Sequence, residues 1–266
     1  MIDPAASFTW QDGERTVRFG RGALADAPGL LGDDYVLLTT ARGRGAAPDL
    51  VAGAAHVLDV RSGFVDEISA ELLEELPAGD GLLVALGGGR VIDTAKAMGA
   101  ATGRGAAAVP TTLSAAEMTK VGRLPKGTTG LTGVRPRVVV NDPALSASQP
   151  DAELAASAAN ALAHAVEAPL TTLASPVPTL AAHEAARLVA MAYRGDVDEP
   201  DRDALALAAL LSGYGIDGAW YGLSHVCSQT LVRVGGAGHG QANAVVLPRT
   251  SAALRRRAPD ALEALD

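Results

Sequence analysis

Three histidines and one asparagine have types and spacings that suit a site for a cation or for a substrate oxygen. Asn160 and His164 are four residues apart in a segment with helical periodicity, so both side chains lie on one helix face and can reach one ion. His225 and His239 follow later, and a glycine-rich turn at residues 235–238 precedes the second of them. The pattern predicts one shared polar site, and three unrelated core histidines are the alternative interpretation.

A glycine-rich turn is the second group of residues that could take part in binding or catalysis. Residues 81–86 form an apolar run of strand length, and the Ala-rich segment after the turn has helical spacing. The turn itself consists of Gly87, Gly88 and Gly89. Glycines let the backbone approach an anion, and the free N–H groups at the helix start supply donors at the positive end of the helix dipole. The sequence therefore predicts a phosphate-binding turn, with Asp93 one helical turn beyond it.

The elements that must position these groups change in character along the chain. Residues 65–76 keep helical spacing, whereas the Ala-, Arg- and Gly-rich stretch after residue 40 is predicted as a loop. The segments predicted as strands are 15–19, 35–40, 55–60, 81–86, 105–110 and 136–143. From residue 150 helical segments dominate, apart from a short extended piece at 233–236. We therefore predict an α/β domain at residues 1–150 and a helical domain at residues 151–266.

The glycine-rich turn also carries a resemblance to a known family. Residues 87–97, GGGRVIDTAKA, resemble the GGGS-x-x-D-x-A-K motif of the iron-containing alcohol dehydrogenase family, which includes glycerol dehydrogenases and maleylacetate reductases. Segments 109–117, 160–167 and 225–248 match further family motifs in the same order. The resemblance implies a dehydroquinate synthase-like fold, in which an α/β N-terminal dinucleotide-binding domain precedes an all-α C-terminal domain.

The resemblance implies NAD or NADP as the cofactor. The residues expected to contact it are Gly87, Gly88, Gly89 and Asp93 at the pyrophosphate, Thr111, Thr112 and Ser114 at the nicotinamide side, and Thr39 and Arg137 near the ribose. Many relatives carry an acid near the position of Thr39. Here Arg42 and Arg44 follow instead, and they would either pair with the 2′-phosphate of NADP or lie on a solvated loop.

The resemblance also implies a divalent ion, iron or zinc, that polarises the substrate oxygen. Its ligands would be Asn160, His164, His225 and His239. In the family the first of these is an aspartate, so Asn160 removes the only negative charge and the site is predicted to hold metal weakly or not at all. Maleylacetate reductases resemble this chain in carrying asparagine there. In a metal-free site the three histidines would be the catalytic residues, as hydrogen-bond donors to the substrate oxygen.

Composition limits the kind of partner. The chain has 266 residues, of which 48% are hydrophobic, and a formal net charge of −8, which argues against nucleic acid or an anionic membrane as the main partner. One cysteine, Cys227, fits a reducing compartment. The N-terminus has no signal-peptide pattern and no apolar run reaches membrane-helix length, so the protein is expected to be cytoplasmic.

These observations predict an NAD(P)-dependent oxidoreductase that moves hydride between the nicotinamide and a carbonyl or alcohol carbon. The substrate would be a small molecule or a peptide, as for an alcohol dehydrogenase, a maleylacetate reductase or a natural-product tailoring enzyme. Gln229 stands where relatives carry a further histidine, and Arg90 replaces a small serine. These departures keep a non-catalytic, nucleotide-binding or partner subunit as the alternative. Family members continue beyond the last motif, so a shortened helical domain is expected to associate with a second copy or a partner chain.

Overall fold

Seven strands form one sheet in the N-terminal part of the computed structural model, which describes residues 2–120 and 123–263. They are β1 Phe8–Asp12, β2 Arg15–Phe19, β3 Val36–Thr39, β4 His56–Asp59, β5 Leu83–Gly87, β6 Ala106–Pro110 and β7 Val138–Asn141. The strand order is β1-β2-β7-β6-β5-β3-β4. Only the β1–β2 pair is antiparallel among these described strands. The inner strands β3, β5 and β6 are buried along their whole length, as apolar strands of a parallel sheet must be.

Helices connect the strands and make up most of the rest of the described chain. The α-helices are α1 Ala27–Leu31, α2 Ala41–Ala46, α3 Pro48–Ala52, α4 Val65–Glu75, α5 Gly89–Thr102, α6 Pro143–Ser146, α7 Asp151–Glu167, α8 Pro176–Ala192, α9 Arg202–Ala219, α10 Leu223–Gly235, α11 His239–Arg257 and α12 Pro259–Glu263. Within residues 2–120 and 123–263, none of them has the length and apolarity to cross a lipid bilayer.

The chain divides into two compact units. The first contains Met1–Thr112 and Ala116–Ser148, and the second contains Leu113–Ala115 and Gln149–Asp266. The sheet and α1 to α6 belong to the first unit, and α7 to α12 belong to the second. The predicted fold class is confirmed: a largely parallel sheet with helices is followed by a helical part.

Three local predictions were wrong or incomplete. The stretch after residue 40 is helical, because Thr40 Oγ1 accepts the N–H of Gly43 as an N-cap and a proline starts α3. Residues 233–235 belong to α10, which ends at Gly236 in the left-handed conformation with φ of 67°. The hairpin strand β1 was not predicted, although the rings of Phe8 and Phe19 stack across it with centroids 5.3 Å apart.

Helix α5 is anchored to the sheet by an apolar face. Ile92, Ala95 and Met98 recur at helical spacing, are fully buried, and pack in one cluster with residues of β3 and β5. Full burial of a side chain the size of Ile or Met contributes about 1.5–3 kcal/mol. This packing fixes the position of the helix start, where the three glycines lie.

A buried polar cluster adjoins α5. Lys96 is fully buried, and its Nζ donates to the carbonyls of Ala116 and Thr119 over 2.7 and 2.9 Å. The carboxyl of Glu117 is also buried, and its Oε1 accepts a 3.4 Å hydrogen bond from Asn141 Nδ2. Its Oε2 has no partner within the described residues. Burial raises the pKa of Glu117 to about 7, although the positive charges of Lys96 and Arg15 oppose the rise.

Replacement of Glu117 by glutamine should make stability less dependent on pH. The pKa of Glu117 is about 7 in the folded chain against an ordinary value of 4.5, so between these pH values the folded state holds a proton that the unfolded state has lost. The stability contributed by Glu117 is therefore present below pH 4.5 and lost as pH rises through 7. The difference in unfolding free energy between Glu117→Gln and wild type should therefore depend on pH. From pH 4.5 to pH 8 we expect it to shift by about 2–3 kcal/mol in favour of the variant.

Urea unfolding at both pH values measures this difference. Glu74→Gln is the matched control, because that side chain is exposed on α4 and its substitution should have the same small effect at both pH values. An equal effect of Glu117→Gln at both pH values would show that the buried carboxyl carries no such proton.

Candidate functional site

The glycine turn lies at the carboxyl end of β5, where helix α5 begins. Gly88 is the N-cap of α5, and no side chain caps the helix there. A Cβ atom on Gly87 would lie 2.6 Å from Val91 Cγ2, and one on Gly88 would lie 2.9 Å from Thr112 Cγ2. A side chain at either position would therefore have to displace one of these neighbouring side chains. The first backbone N–H groups of a 14-residue helix thus remain available to an anion.

The structure brings some of the other predicted cofactor residues to this turn and keeps others apart. Thr111 and Thr112 lie beside the turn, since the N–H of Thr111 donates to Gly87 O over 3.0 Å. Asp93 forms a 2.6 Å ion pair with Lys96 in the second turn of α5. Arg137 lies just before β7, at the edge where the parallel strands begin, so it is not brought to the turn.

Two further predicted residues have identifiable partners. The hydroxyl of Thr39 is fully buried and donates to Leu86 O over 2.8 Å, which joins β3 to β5. Ser114 belongs to the helical unit, where its carbonyl accepts a 3.4 Å hydrogen bond from Asn160 Nδ2. Beyond Thr39, Arg44 is paired with Asp59 over 2.7 Å, so part of its charge is already neutralised.

The three predicted histidines come together in the helical unit. His164 lies on α7, His225 in the first turn of α10, and His239 at the first position of α11. The rings of His164 and His225 are stacked with centroids 4.6 Å apart, and the centroid of His239 is 6.3 Å from that of His225. His164 and His225 are buried, whereas His239 is exposed. Sequence spacing therefore predicted a real cluster.

The cluster keeps His164 neutral. Burial, followed by the charges of His225 and His239, holds the pKa of His164 well below the ordinary value of 6.5. Its Nδ1 is buried and has no partner within the described residues, and the same is true of Nε2 of His225. Buried nitrogens without partners are uncommon in folded proteins and indicate a place for a ligand or a water.

Two residues of the site were missed at the sequence level. The carboxyl of Glu167, at the end of α7, contacts Nδ1 of His225. Asn243 on α11 is fully buried, and its Nδ2 donates to Asn160 Oδ1 over 2.8 Å and lies 3.3 Å from His239 Nε2. Glu167 follows His164 by three residues and Asn243 follows His239 by four. Helical spacing from the histidines would have found both.

Aromatic residues adjoin the histidines. The ring centroid of Tyr221 is 5.0 Å from that of His225 and 6.3 Å from that of His164. Trp220 is 5.7 Å from Tyr221, and its side chain is half exposed. Trp220 ends α9 with φ of 66° and ψ of 174°, a backbone conformation that is nearly restricted to glycine and costs other residues about 1–3 kcal/mol. Such strain is typical of functional sites.

Comparison with known proteins identifies relatives across most of the chain. Residues 154–266 match the Fe-containing alcohol dehydrogenase family, C-terminal. A maleylacetate reductase of Pseudomonas aeruginosa is 31% identical over 268 residues, which are 94% of this chain and 76% of that protein. Maleylacetate reductase 1 of Rhodococcus opacus is 35% identical over 193 residues, 69% of this chain and 54% of that protein. The crystal structure of a maleylacetate reductase from Rhizobium sp. strain MTP-10005 superposes with a TM-score of 0.81 at 26% identity, covering 98% of this chain and 79% of that one.

A glycine turn at the start of a helix on a parallel sheet, a helical unit with a histidine cluster and these relatives identify an NAD(P)-dependent oxidoreductase. The chain spans about half the length of the Rhodococcus relative and three quarters of the Pseudomonas relative. It belongs to the Fe-containing alcohol dehydrogenase family.

The family uses NAD(P) and iron, and the residues of this chain fit the two groups unequally. The start of α5 without a side-chain cap, the two closely packed glycines and the neighbouring threonines fit a pyrophosphate. In contrast, no three His, Cys, Asp or Glu side chains of the described chain are grouped to hold a metal ion. Nδ2 of Asn243 already engages Asn160 Oδ1 and lies beside His239 Nε2, two of the atoms a cation would need. This arrangement fits a metal poorly, and weak or absent metal binding by these residues stays a prediction.

We predict that the purified protein carries less than one equivalent of iron or zinc, and that Asn160→Asp raises the metal content. The aspartate would still accept the hydrogen bond from Asn243 Nδ2 and would add a charged oxygen on the helix face of His164. Elemental analysis of both proteins measures the difference. Ala152→Asp adds the same charge at an exposed position of α7 and should change nothing. Absence of metal from both wild type and Asn160→Asp would rule out a weakened site.

Proposed function

We propose that this chain transfers a hydride between NAD(P) and a carbonyl or alcohol carbon, with the oxygen of that carbon contacted by His164, His225 and His239. The observation that carries the proposal is the histidine cluster. Three helices bring three imidazoles together, and two of the rings have a buried nitrogen without a partner in the described chain. A substrate oxygen is a group that would satisfy such nitrogens.

The first unit supplies the cofactor site in this proposal. The backbone N–H groups after Gly88 would hold the pyrophosphate, and the hydroxyls of Thr111 and Thr112 would donate to phosphate or ribose oxygens beside it. The nicotinamide, when bound, supplies or accepts the hydride. Because Arg44 is paired with Asp59, its attraction for a 2′-phosphate is reduced, and both NAD and NADP are to be tested.

The second unit supplies the groups that contact substrate. His164 is uncharged at neutral pH, so it can give or accept a hydrogen bond without bringing a charge into the buried site. The amide of Asn243 ties Asn160 to His239 and so orients the exposed ring. Preorganised groups of this kind stabilise the charge that develops on a substrate oxygen during hydride transfer.

The substrate class follows from the relatives only at a coarse level. The matched relatives are reductases of a small molecule, maleylacetate, and a small carbonyl compound is our proposal for this chain. Exposed aromatic side chains at Trp220 and Tyr221, next to the histidines, support a substrate with an apolar part. Association with a second copy or a partner chain also stays a prediction, supported by the exposed Val226 and Val234 of α10.

Cofactor binding followed by turnover tests the proposed function. Fluorescence and thermal unfolding with NADH and with NADPH should reveal binding of at least one of them, because a ligand that binds only the folded state stabilises it. Consumption of the bound cofactor across a panel of carbonyl compounds then identifies the substrate. Binding without turnover of any compound would favour the non-catalytic subunit, and absence of binding would overturn the proposal.

A further inference from the structure

We infer that Glu167 is a positioning residue for the histidine cluster: it fixes the ring proton of His225 on Nδ1 and thereby leaves Nε2 as the nitrogen that can accept a hydrogen bond from a substrate hydroxyl. The inference rests on the proposed function for its catalytic meaning. The position of the proton is a property of the protein alone and can be measured separately.

Both carboxyl oxygens of Glu167 are used on helix α10. The side chain is buried, with only 1% exposed. Its Oε1 accepts the backbone N–H of Ser224, and also that of His225 over 3.4 Å. These are donors in the first turn of α10, which have no partner within the helix. Its Oε2 contacts Nδ1 of His225. One carboxyl therefore ties both the backbone and the ring of His225 to the end of α7.

The close approach of Glu167 to the start of α10 depends on a glycine at position 222. Gly222 is the N-cap of α10, and a Cβ atom at this position would lie 3.0 Å from Glu167 Oε1. Contacts this short are tighter than ordinary van der Waals separation and would displace the carboxyl. Glycine at 222 thus leaves room for the carboxyl to act as the helix cap.

The hydrogen-bond pattern assigns the proton on the His225 ring. A carboxylate accepts hydrogen bonds and donates none, so the contact with Oε2 places a hydrogen on Nδ1. A neutral imidazole carries one such hydrogen, which leaves Nε2 with its lone pair. Nε2 is buried and has no partner among the described residues. The stacked ring of His164, inclined by 14°, limits rotation of His225 away from this orientation.

A glutamine at position 167 should reverse the assignment. Its one oxygen can satisfy the two N–H groups at the start of α10, and its NH₂ group then faces Nδ1 as a donor. A neutral ring can meet that donor only with a bare Nδ1, which moves the hydrogen to Nε2. Glu167→Gln therefore changes which nitrogen is bare while it leaves the size of the side chain and the helix cap almost unchanged.

Nitrogen-15 NMR of histidine-labelled protein at about pH 8 shows which ring nitrogens carry hydrogen. The chain has five histidines, and the signals of His225 are those lost in His225→Asn. We expect a hydrogen on Nδ1 and a bare Nε2 in the wild type, and the reverse in Glu167→Gln. With an active alcohol substrate, kcat for its oxidation should fall about 10- to 100-fold in this variant, because Nε2 no longer accepts the hydroxyl hydrogen, while the affinity for NAD(P)H stays the same. Glu153→Gln, exposed on the same helix, should match the wild type in both measurements.

A wild-type ring that carries hydrogen on Nε2, or an unchanged ring in folded Glu167→Gln, would overturn the inference. If the variant does not fold, the wild-type signals alone decide, since they need no substitution at Glu167. The expected signals in a protein that binds no NAD(P)H would overturn the proposed function and leave the proton assignment in place. NAD(P)H binding and turnover by a wild type whose His225 carries its hydrogen on Nε2 would overturn the proton assignment and leave the proposed function in place.

Discussion

Gly88→Asp should abolish binding of NADH and NADPH while the protein remains folded. The new Cβ would lie 2.9 Å from Thr112 Cγ2, and a carboxylate would stand at the uncapped start of α5. Two like charges 4 Å apart near a protein surface repel by about 4 kcal/mol, which corresponds to an affinity loss of about a thousandfold. Gly88 has φ of −83°, so an aspartate can adopt the backbone conformation, and aspartate is a favourable N-cap.

Fluorescence titration with each reduced cofactor measures the loss, and circular dichroism verifies the fold. Gly29→Asp is the matched control, because that glycine is exposed on α1 and a Cβ atom there meets nothing within 4 Å. This control variant adds the same charge to the same unit and should bind NADH and NADPH with wild-type affinity. A folded Gly88→Asp protein with wild-type affinity would show that the cofactor lies elsewhere.

Lys96→Met should destabilise the first unit by about 3 kcal/mol. Methionine has a similar length but no donor, so the buried carbonyl of Thr119 would lose the hydrogen bond from Nζ, and that of Ala116 would keep only its 3.4 Å hydrogen bonds from Thr119. An unsatisfied buried carbonyl costs about 1–3 kcal/mol, and the lost bond at Ala116 adds about 0.5–1.5 kcal/mol. The carboxylate of Asp93 also loses its partner, but it is partly exposed and water can replace the lysine in part.

Lys126→Met is the control for the lysine substitution. Lys126 also pairs with a carboxylate, Glu67, but over 3.4 Å and with its side chain 70% exposed. An exposed pair of this kind contributes little, so its loss should change the unfolding free energy by less than about 0.5 kcal/mol. Similar losses for the two variants in urea unfolding would mean that the buried lysine does not hold residues 116–119 in place.

The residues that could be predicted from sequence are those with local signals. The strand that ends at Gly87 and the start of α5 follow from an apolar run, three glycines and helical spacing. The short helices α2 and α3 were missed, because Gly-, Pro- and Arg-rich segments carry weak propensities that caps and neighbours override. Strand β1 was missed although Phe8, Thr9 and Trp10 favour a strand, since a segment of five residues is fixed by its pairing with β2.

The site was predicted only in part for a related reason. The histidine cluster follows from spacing and order along the chain. The contacts of Glu167 with His225 and of Asn243 with Asn160 join residues 58 and 83 positions apart, which no local pattern encodes. Proximity of Thr112 to the glycine turn likewise depends on the pairing of β6 with β5. The sequence therefore indicates which chemical groups could act, but only the fold shows which of them are in contact.

The strained backbone at Trp220 limits how this protein could be made more heat-resistant. Glycine adopts φ of 66° and ψ of 174° without the cost of about 1–3 kcal/mol that a side chain incurs there. Engineering for thermal stability alone would favour glycine at this position. That choice would also remove the exposed indole beside Tyr221, and with it part of the aromatic surface next to the histidines. At this turn, thermal stability and the aromatic surface next to the histidines therefore favour different residues.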